Sequence, residues 1–276
     1  MTETGFLRHV RACNNACLPG GRLPFRLAGE QVGWIAQAAA AALEGRVDII
    51  HTETGLTLTR PDALQELART LAERGLLDLR HEMFDVRAQP DGRALATIDR
   101  GAIPTFGIQA VGVHVNGLVR RPDSLHLWVA RRARDKQLDP GKLDHIVAGG
   151  VPAGLGPTET LIKEAREEAA IPADIAGTAR HVGTIAYAME RPEGLRRDCV
   201  YCYDLELPET FAPQAADGEV EAFELWPVSR VMEVVRDTDD FKFNVNLVLI
   251  DLFIRLGLIA GAEADALRGA GLSPSA

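Results

Sequence analysis

Cysteine is scarce in this chain. The four residues Cys13, Cys17, Cys199 and Cys202 in 276 are too few for a secreted, disulfide-held scaffold, so reduced thiols in a cytoplasmic protein are the expectation. Net positive charge is missing too. Against 39 Asp and Glu stand 30 Lys and Arg, and the formal charge of −9 repels nucleic acid and anionic membrane over most of the surface, which argues against both as partners. No apolar run approaches the length that spans a bilayer, and the stretch Met1 to Ala16 mixes Glu3, Arg8 and Arg11 with apolar residues, without the continuous apolar core of a secretory signal. Internal repeats are absent, and low complexity is limited to short alanine runs. What is present, 46% hydrophobic and 25% charged residues, suffices for a full core in one large domain or two modest ones.

Residues 1–106 read as a smaller α+β accessory domain. The alanine-rich run Ile35 to Leu43 favours helix, and Val47 to His51 and Leu56 to Leu58 carry strand signals. Arg60-Pro61-Asp62 opens a helix through Leu64 to Leu76, and His81 to Val86 and Leu95 to Ile98 read as strands. From Val111 apolar and other residues alternate. This predicts strands Val111 to Val115 and Ser124 to Ala130, joined by a turn around Arg121-Pro122-Asp123. A Gly- and Pro-rich loop over 149–157 leads into a helix from Thr158 to Ala170. Strands near His181 to Tyr187, Cys199 to Leu207 and Ala222 to Trp226 follow, with a helix from Ser229 and an apolar helix Val245 to Leu256. The order predicts an α/β/α sandwich with a mixed sheet over 107–262, and the small, polar residues of 263–276 predict a frayed tail.

The chemistry is concentrated in 149–171. On a helix, Glu164, Glu167 and Glu168 stand at i, i+3 and i+4, so three carboxylates share one face. Like charges this close repel one another, and a divalent cation such as magnesium, which prefers oxygen ligands, reverses the sign of that interaction. Gly149 and Gly150 let backbone approach a phosphate, and a helix start attracts anions. On spacing alone a solvated acidic face paired with Lys163 and Arg166 is the simpler account. The Gly-rich loop and Pro157 just ahead of the acids shift the balance toward a metal site.

This stretch resembles the Nudix box, G-x5-E-x7-R-E-U-x-E-E-x-G-U, where U is a bulky apolar residue. Gly149 stands at the first glycine, Lys163 at the arginine, Glu164 at the next glutamate, Glu167 and Glu168 at the glutamate pair and Ile171 at the last apolar position. Leu155 replaces the first glutamate, Ala170 the late glycine and Ala165 the bulky residue, and Lys163 keeps a charge without the arginine fork. Glu159 lies near the missing carboxylate at a different spacing. Leu127 to Arg132, Leu143 to Gly150, Tyr203 to Pro208, Asp217 to Glu221 and Phe241 to Asn244 are similar to one branch of the family: the Nudix domain attached to fungal thiamine pyrophosphokinase and its stand-alone relatives with an N-terminal extension.

The resemblance implies an α/β (α+β) Nudix sandwich behind the accessory domain and hydrolysis of a small-molecule diphosphate, in this branch oxidised thiamine diphosphate cleaved to the monophosphate. It implies Mg2+ (or Mn2+) on Glu164, Glu167 and Glu168, with Glu164, Glu167 and Lys163 as the catalytic group and Gly149, Gly150, Glu219 and Glu221 on the substrate side. Two other readings stay open: a nucleoside diphosphate derivative such as ADP-ribose or a dinucleotide as substrate, and a metabolite-binding regulator without hydrolysis, which Leu155 and Ala170 keep alive. An isomerase of the isopentenyl diphosphate type lacks its cysteine in the strands ahead of the box. A four-thiolate zinc site is disfavoured because Cys199 and Cys202, three apart in a strand, point to opposite faces. His145, just before the Gly-rich loop, is the one histidine of interest. The accessory domain has no motif to choose between walling the substrate pocket and forming a homodimer.

Overall fold

The computed structural model describes residues 5–215, 218–272 and 274–275. Its first helix, α1 (Leu7–Cys13), is too short to stand alone and packs far along the chain, with the Phe6 ring 6.1 Å from Phe253 and His9 Nε2 2.7 Å from the Val235 carbonyl. Asn15 accepts the Glu190 N–H at 2.7 Å, and Arg22 pairs with Glu190. Residues 5–22 therefore sit with the C-terminal core. With a division at 106 as expected from sequence, Phe6, Val10 and Cys13 of the accessory segment are buried in the core of the second one.

β1 (Leu23–Leu27) and β2 (Glu30–Ile35) form a hairpin through Ala28-Gly29, both at positive φ, a two-residue turn whose twist matches the strands. Ile35 ends β2, and the helix of the alanine run begins two residues beyond it, as α2 (Gln37–Ala42). With β3 (Ile49–Thr52) and β4 (Gly55–Leu58) the sheet order is β2-β1-β4-β3. α3 (Leu64–Glu73) buries Leu64, Leu67, Ala68 and Leu71, a stripe at helical spacing, in the core that includes Phe25, Leu56 and Leu58. The pair β5 (Met83–Val86) and β6 (Ala96–Asp99) follows, and the short α4 (Ile103–Phe106) completes the unit.

The second unit runs β7 (Gln109–Arg121), β8 (Ser124–Arg132), β9 (Leu143–His145), β10 (Val147–Gly150), α5 (Pro157–Ala169), α6 (Ala173–Ala176), β11 (Arg180–Arg191), β12 (Gly194–Glu206), β13 (Val220–Pro227), α7 (Val228–Asp237), α8 (Val245–Arg255), α9 (Gly261–Gly269) and β14 (Pro274–Ser275). Its main sheet has the order β13-β8-β7-β12-β11-β14, with β10 on β7 and β9 on β8. The β7–β12 pair is parallel and its neighbours antiparallel, so the sheet is mixed. α5 covers one face, Leu161 and Ala165 packing with Val113, Val115 and Leu205. α7 and α8 cover the other, Val231, Val248 and Leu252 packing with Leu127, Val129 and Cys202. This is the expected α/β/α sandwich.

Within the segment expected from sequence to fray, residues 263–269 lie in α9, whose Ala264 and Leu267 are buried on one side, and that burial holds the helix. Residues 273 and 276 lie outside the described set. Among the described residues no helix is long and apolar enough to cross a membrane.

Candidate active site

β10 carries the start of the acidic stretch. Gly149 pairs with Val113 and Gly150 with Gly112, so the glycines expected to open a loop end a strand instead, and the loop proper starts at Val151. Beyond it, α5 begins with Pro157 in its first turn, and the Glu159 carboxylate accepts the Gly156 N–H at 2.9 Å. That contact gives Glu159 a capping role and removes it as a stand-in for the missing glutamate. Leu155, at the position of that glutamate, is half-buried against the core under α5. The helix ends at Ala170, whose φ of 52° and ψ of 33° are left-handed, which explains why the box has glycine there.

The three acids of α5 divide. Glu168 is buried, and its Oε2 accepts the Ala148 N–H at 2.9 Å, tying the helix to β10. Burial pushes its pKa well up, and the carboxylates of Asp144, Glu164 and Glu219 push in the same direction, against the Ala148 hydrogen bond. Glu164 lies against Gly149, where a β-carbon would meet its Cγ at 2.6 Å. Burial raises its pKa as well, with Lys163 opposing. Glu167 is more exposed. Lys163 Nζ bridges Glu164 Oε1 at 3.0 Å and Glu167 Oε2 at 2.6 Å, the orienting position suggested by its place in the box. Glu219 pairs with Lys136 and acts electrostatically on both Glu164 and Glu168. Glu221 instead accepts the Arg134 backbone N–H at 3.2 Å and lies beside its guanidinium. The sequence reading grouped these two acids, and the structure separates them.

A cavity of about 480 Å3 opens where the two units meet, lined by Ala148, Gly149 and Gly150 of β10 and, from the first unit, by Phe84, Arg100 and Ile103. The Phe84 ring packs on Gly150, where a β-carbon would lie 2.3 Å from its Cζ. The loop after β10 is tied to β5, which carries Phe84, Ala153 N–H donating to the Met83 carbonyl at 2.8 Å and Gly154 N–H to Asp85 Oδ2 at 3.2 Å.

Behind the cavity lies a buried polar group that sequence reasoning missed apart from His145. His114 and His145 share a hydrogen bond between their Nδ1 atoms at 2.8 Å. Burial lowers both pKa values, that of His145 to about 4, so both rings are neutral near pH 7. Asp144 pairs with Arg132 at 2.8 Å and Lys242 at 3.6 Å, and these cations hold its carboxyl low although burial opposes the charge. Ligand atoms of His114, Asp144 and His145 lie within 4.8 Å of one another. With Arg132 and Lys242 already neutralising Asp144, the cluster reads as a hydrogen-bonded support rather than a cation site. The cysteines are all free, Cys13, Cys199 and Cys202 buried and Cys17 exposed.

Comparison with known proteins gives two family matches: a domain of unknown function (DUF4743) over residues 5–110 and a NUDIX domain over 111–245. "Nudix hydrolase 24, chloroplastic" from Arabidopsis thaliana is 38% identical over 269 residues, 93% of this chain and 74% of that protein. "Nudix hydrolase 20, chloroplastic" from the same plant is 36% identical over 276 residues, with the same coverage. Among solved structures, the NUDIX domain of Shewanella oneidensis NrtR complexed with ADP ribose matches at a TM-score of 0.41 and 15% identity, covering 55% of this chain and 90% of that one. With relatives of this identity along nearly its whole length, the chain belongs to the Nudix hydrolase family.

Proposed function

We propose that this protein is a divalent-cation-dependent diphosphatase that cleaves a small diphosphate metabolite to the monophosphate and inorganic phosphate, with oxidised thiamine diphosphate as the first candidate substrate. The observation that carries the reading is the burial of Glu168 and Glu164 against β10. Two carboxylates withdrawn from water on one helix face, with Glu219 acting on both, are costly as a bare cluster and favourable around a hard cation. This all-oxygen donor set fits Mg2+ or Mn2+ held by Glu164, Glu167 and Glu168. When bound, such an ion neutralises charge on diphosphate oxygens and lowers the pKa of water.

The chain's own residues do the rest. Lys163 fixes Glu164 and Glu167 and sets a positive charge between them. The Ala148 N–H fixes Glu168 Oε2. Gly149 and Gly150 give a phosphate access to backbone at the cavity wall, with Glu219 facing the same acids. In the balanced reaction a water oxygen bonds to phosphorus, the bridging P–O bond breaks and one proton is released; we assign its acceptance to Glu164, which lies beside Gly149. Four unpaired thiols favour a reducing compartment such as the cytoplasm.

A second reading, a nucleoside diphosphate derivative, draws on the cationic lining of the cavity, Arg80, Arg100, Arg191 and Arg196. The test is incubation with magnesium and a panel of oxythiamine diphosphate, thiamine diphosphate, ADP-ribose and nucleoside triphosphates, with Glu168→Gln as control. Monophosphate from the oxidised thiamine compound, absent in the variant, supports the proposal. Cleavage of a nucleotide alone transfers it to the second reading, and cleavage of nothing makes the chain a binding protein.

A further inference from the structure

Lys242 and Asn244, just ahead of α8, have no role in the chemistry above, yet both line the cavity. The Lys242 side chain is 11% exposed. Among the described residues its ion partner is Asp144, 3.6 Å away and already committed to Arg132. One carboxylate between two cations leaves a positive charge unmatched in a place with little water, which is costly without a further anion.

Asn244 is 6% exposed. Its Nδ2 lies 3.4 Å from His114 Nε2, and its Oδ1 has no partner. The amide can turn over, so that Oδ1 accepts from His114 Nε2–H and Nδ2 is left to donate into the cavity. It stands at the N-cap position of α8 without a side-chain cap hydrogen bond, and the dipole of this 11-residue helix places its positive end there.

From the opposite wall Arg100 of the first unit reaches the same space, its guanidinium 5.6 Å from the Phe84 ring centre and hydrogen-bonded to Glu82 at 2.7 Å. Arg196 lines it as well, held by Asp198 at 3.0 Å. Burial lowers the Lys242 pKa and Asp144 raises it, while Arg132, Arg196 and Arg100 add their repulsion, so like charges converge on one enclosed volume.

We propose that the floor of this cavity is an oxyanion subsite, where Lys242, the Asn244 amide and the positive end of α8 hold one phosphoryl group and Arg100 closes on it from the first unit. The subsite gives the accessory unit a part in recognition and explains why Lys242 stays buried. It rests on the diphosphatase reading only for the identity of the anion, which is a phosphoryl group of the substrate or the phosphate released from it.

Calorimetric titration of the full chain in EDTA, with inorganic diphosphate and separately with inorganic phosphate, tests the subsite without a metal ion. Diphosphate is expected to bind the wild type, about tenfold more weakly Lys242→Met, and about threefold more weakly Arg100→Gln, whose side chain is half-exposed. Lys242→Arg keeps the charge and is expected to recover binding, which separates a lost contact from a lost fold. Tighter binding of diphosphate than of phosphate assigns the subsite to substrate, and equal binding assigns it to product; either supports the proposal. A wild type that binds neither ion, or Lys242→Met and Arg100→Gln variants that titrate like wild type, overturns it. Glu168→Gln is expected to bind diphosphate in EDTA no more weakly than wild type. A Glu168→Gln that still hydrolyses substrate refutes the metal site and leaves this titration untouched.

Discussion

Gly149 and Gly150 are neighbours in β10, and an added methyl group at each meets a different unit of the protein. At Gly149 it meets Glu164, 2.6 Å from Cγ and 2.9 Å from Cδ; at Gly150 it meets Phe84, 2.3 Å from Cζ and 3.0 Å from Cε2. Neither glycine is among those with positive φ, so alanine brings the contact without a backbone penalty. Glu164 is a jointed chain on a helix surface and gives way at the cost of an off-rotamer side chain, about 1 kcal/mol. The Phe84 ring is 3% exposed and cannot retreat, so Gly150→Ala overpacks the junction at about 1–3 kcal/mol. Moving the Glu164 carboxylate by roughly 1 Å costs on the order of 100-fold in rate. Urea unfolding and cation-dependent phosphate release, measured on both variants, are expected to diverge: Gly149→Ala folds nearly as well as wild type and turns over about 100-fold more slowly, while Gly150→Ala loses chiefly stability. Full activity of Gly149→Ala at an unchanged cation requirement would refute the place given to Glu164.

Two further outcomes concern stability alone. Ala170→Gly relieves the left-handed strain at the end of α5 and is expected to raise the unfolding free energy by about 1 kcal/mol in a urea titration, with no gain arguing that the strain is absorbed elsewhere. Burial pushes His145 down to about 4 from the ordinary 6.5, so the fold holds it neutral while the unfolded chain takes up a proton. Its contribution is therefore complete above pH 6.5 and is lost as the pH falls toward 4, by up to about 3 kcal/mol. Unfolding curves across that window are expected to fall less steeply for His145→Gln than for wild type, and equal slopes contradict the assignment.

Much of the second unit is legible locally. The alternation of Val111, Val113 and Val115 marks β7 because these side chains share the face packed under α5, although His114 between them is buried too, and the acids at helical spacing mark α5. The rest of β7 is hidden in sequence by Asn116 and Gly117. Asn116 is buried and hydrogen-bonded to Asp204 at 2.9 Å, so a polar residue occupies a core position, and Gly117 makes room for Ile146. α9 reads as a tail because two buried residues, Ala264 and Leu267, suffice to hold it. Of the candidate site, the helix face is written in one stretch of chain. The cavity is not: Phe84, Arg100, His114 and Lys242 come from four distant segments, and no spacing rule joins them. Phe241 to Asn244 stood out in the sequence, though without a chemical reason. Glu221 shows the converse, an acid beside Glu219 in sequence whose carboxylate serves the Arg134 backbone.

The contacts of β5 with the segment after β10 bear on how this hydrolase could be cut or transplanted. A truncation placed where the two family matches meet, between residues 110 and 111, would sever Met83 and Asp85 from Ala153 and Gly154 and strip Phe84 from Gly150. It would also discard α1, which lies in the other unit's core. A gene fragment designed on those borders would encode a box with its scaffolding removed. A portable piece of this hydrolase therefore has to carry both segments.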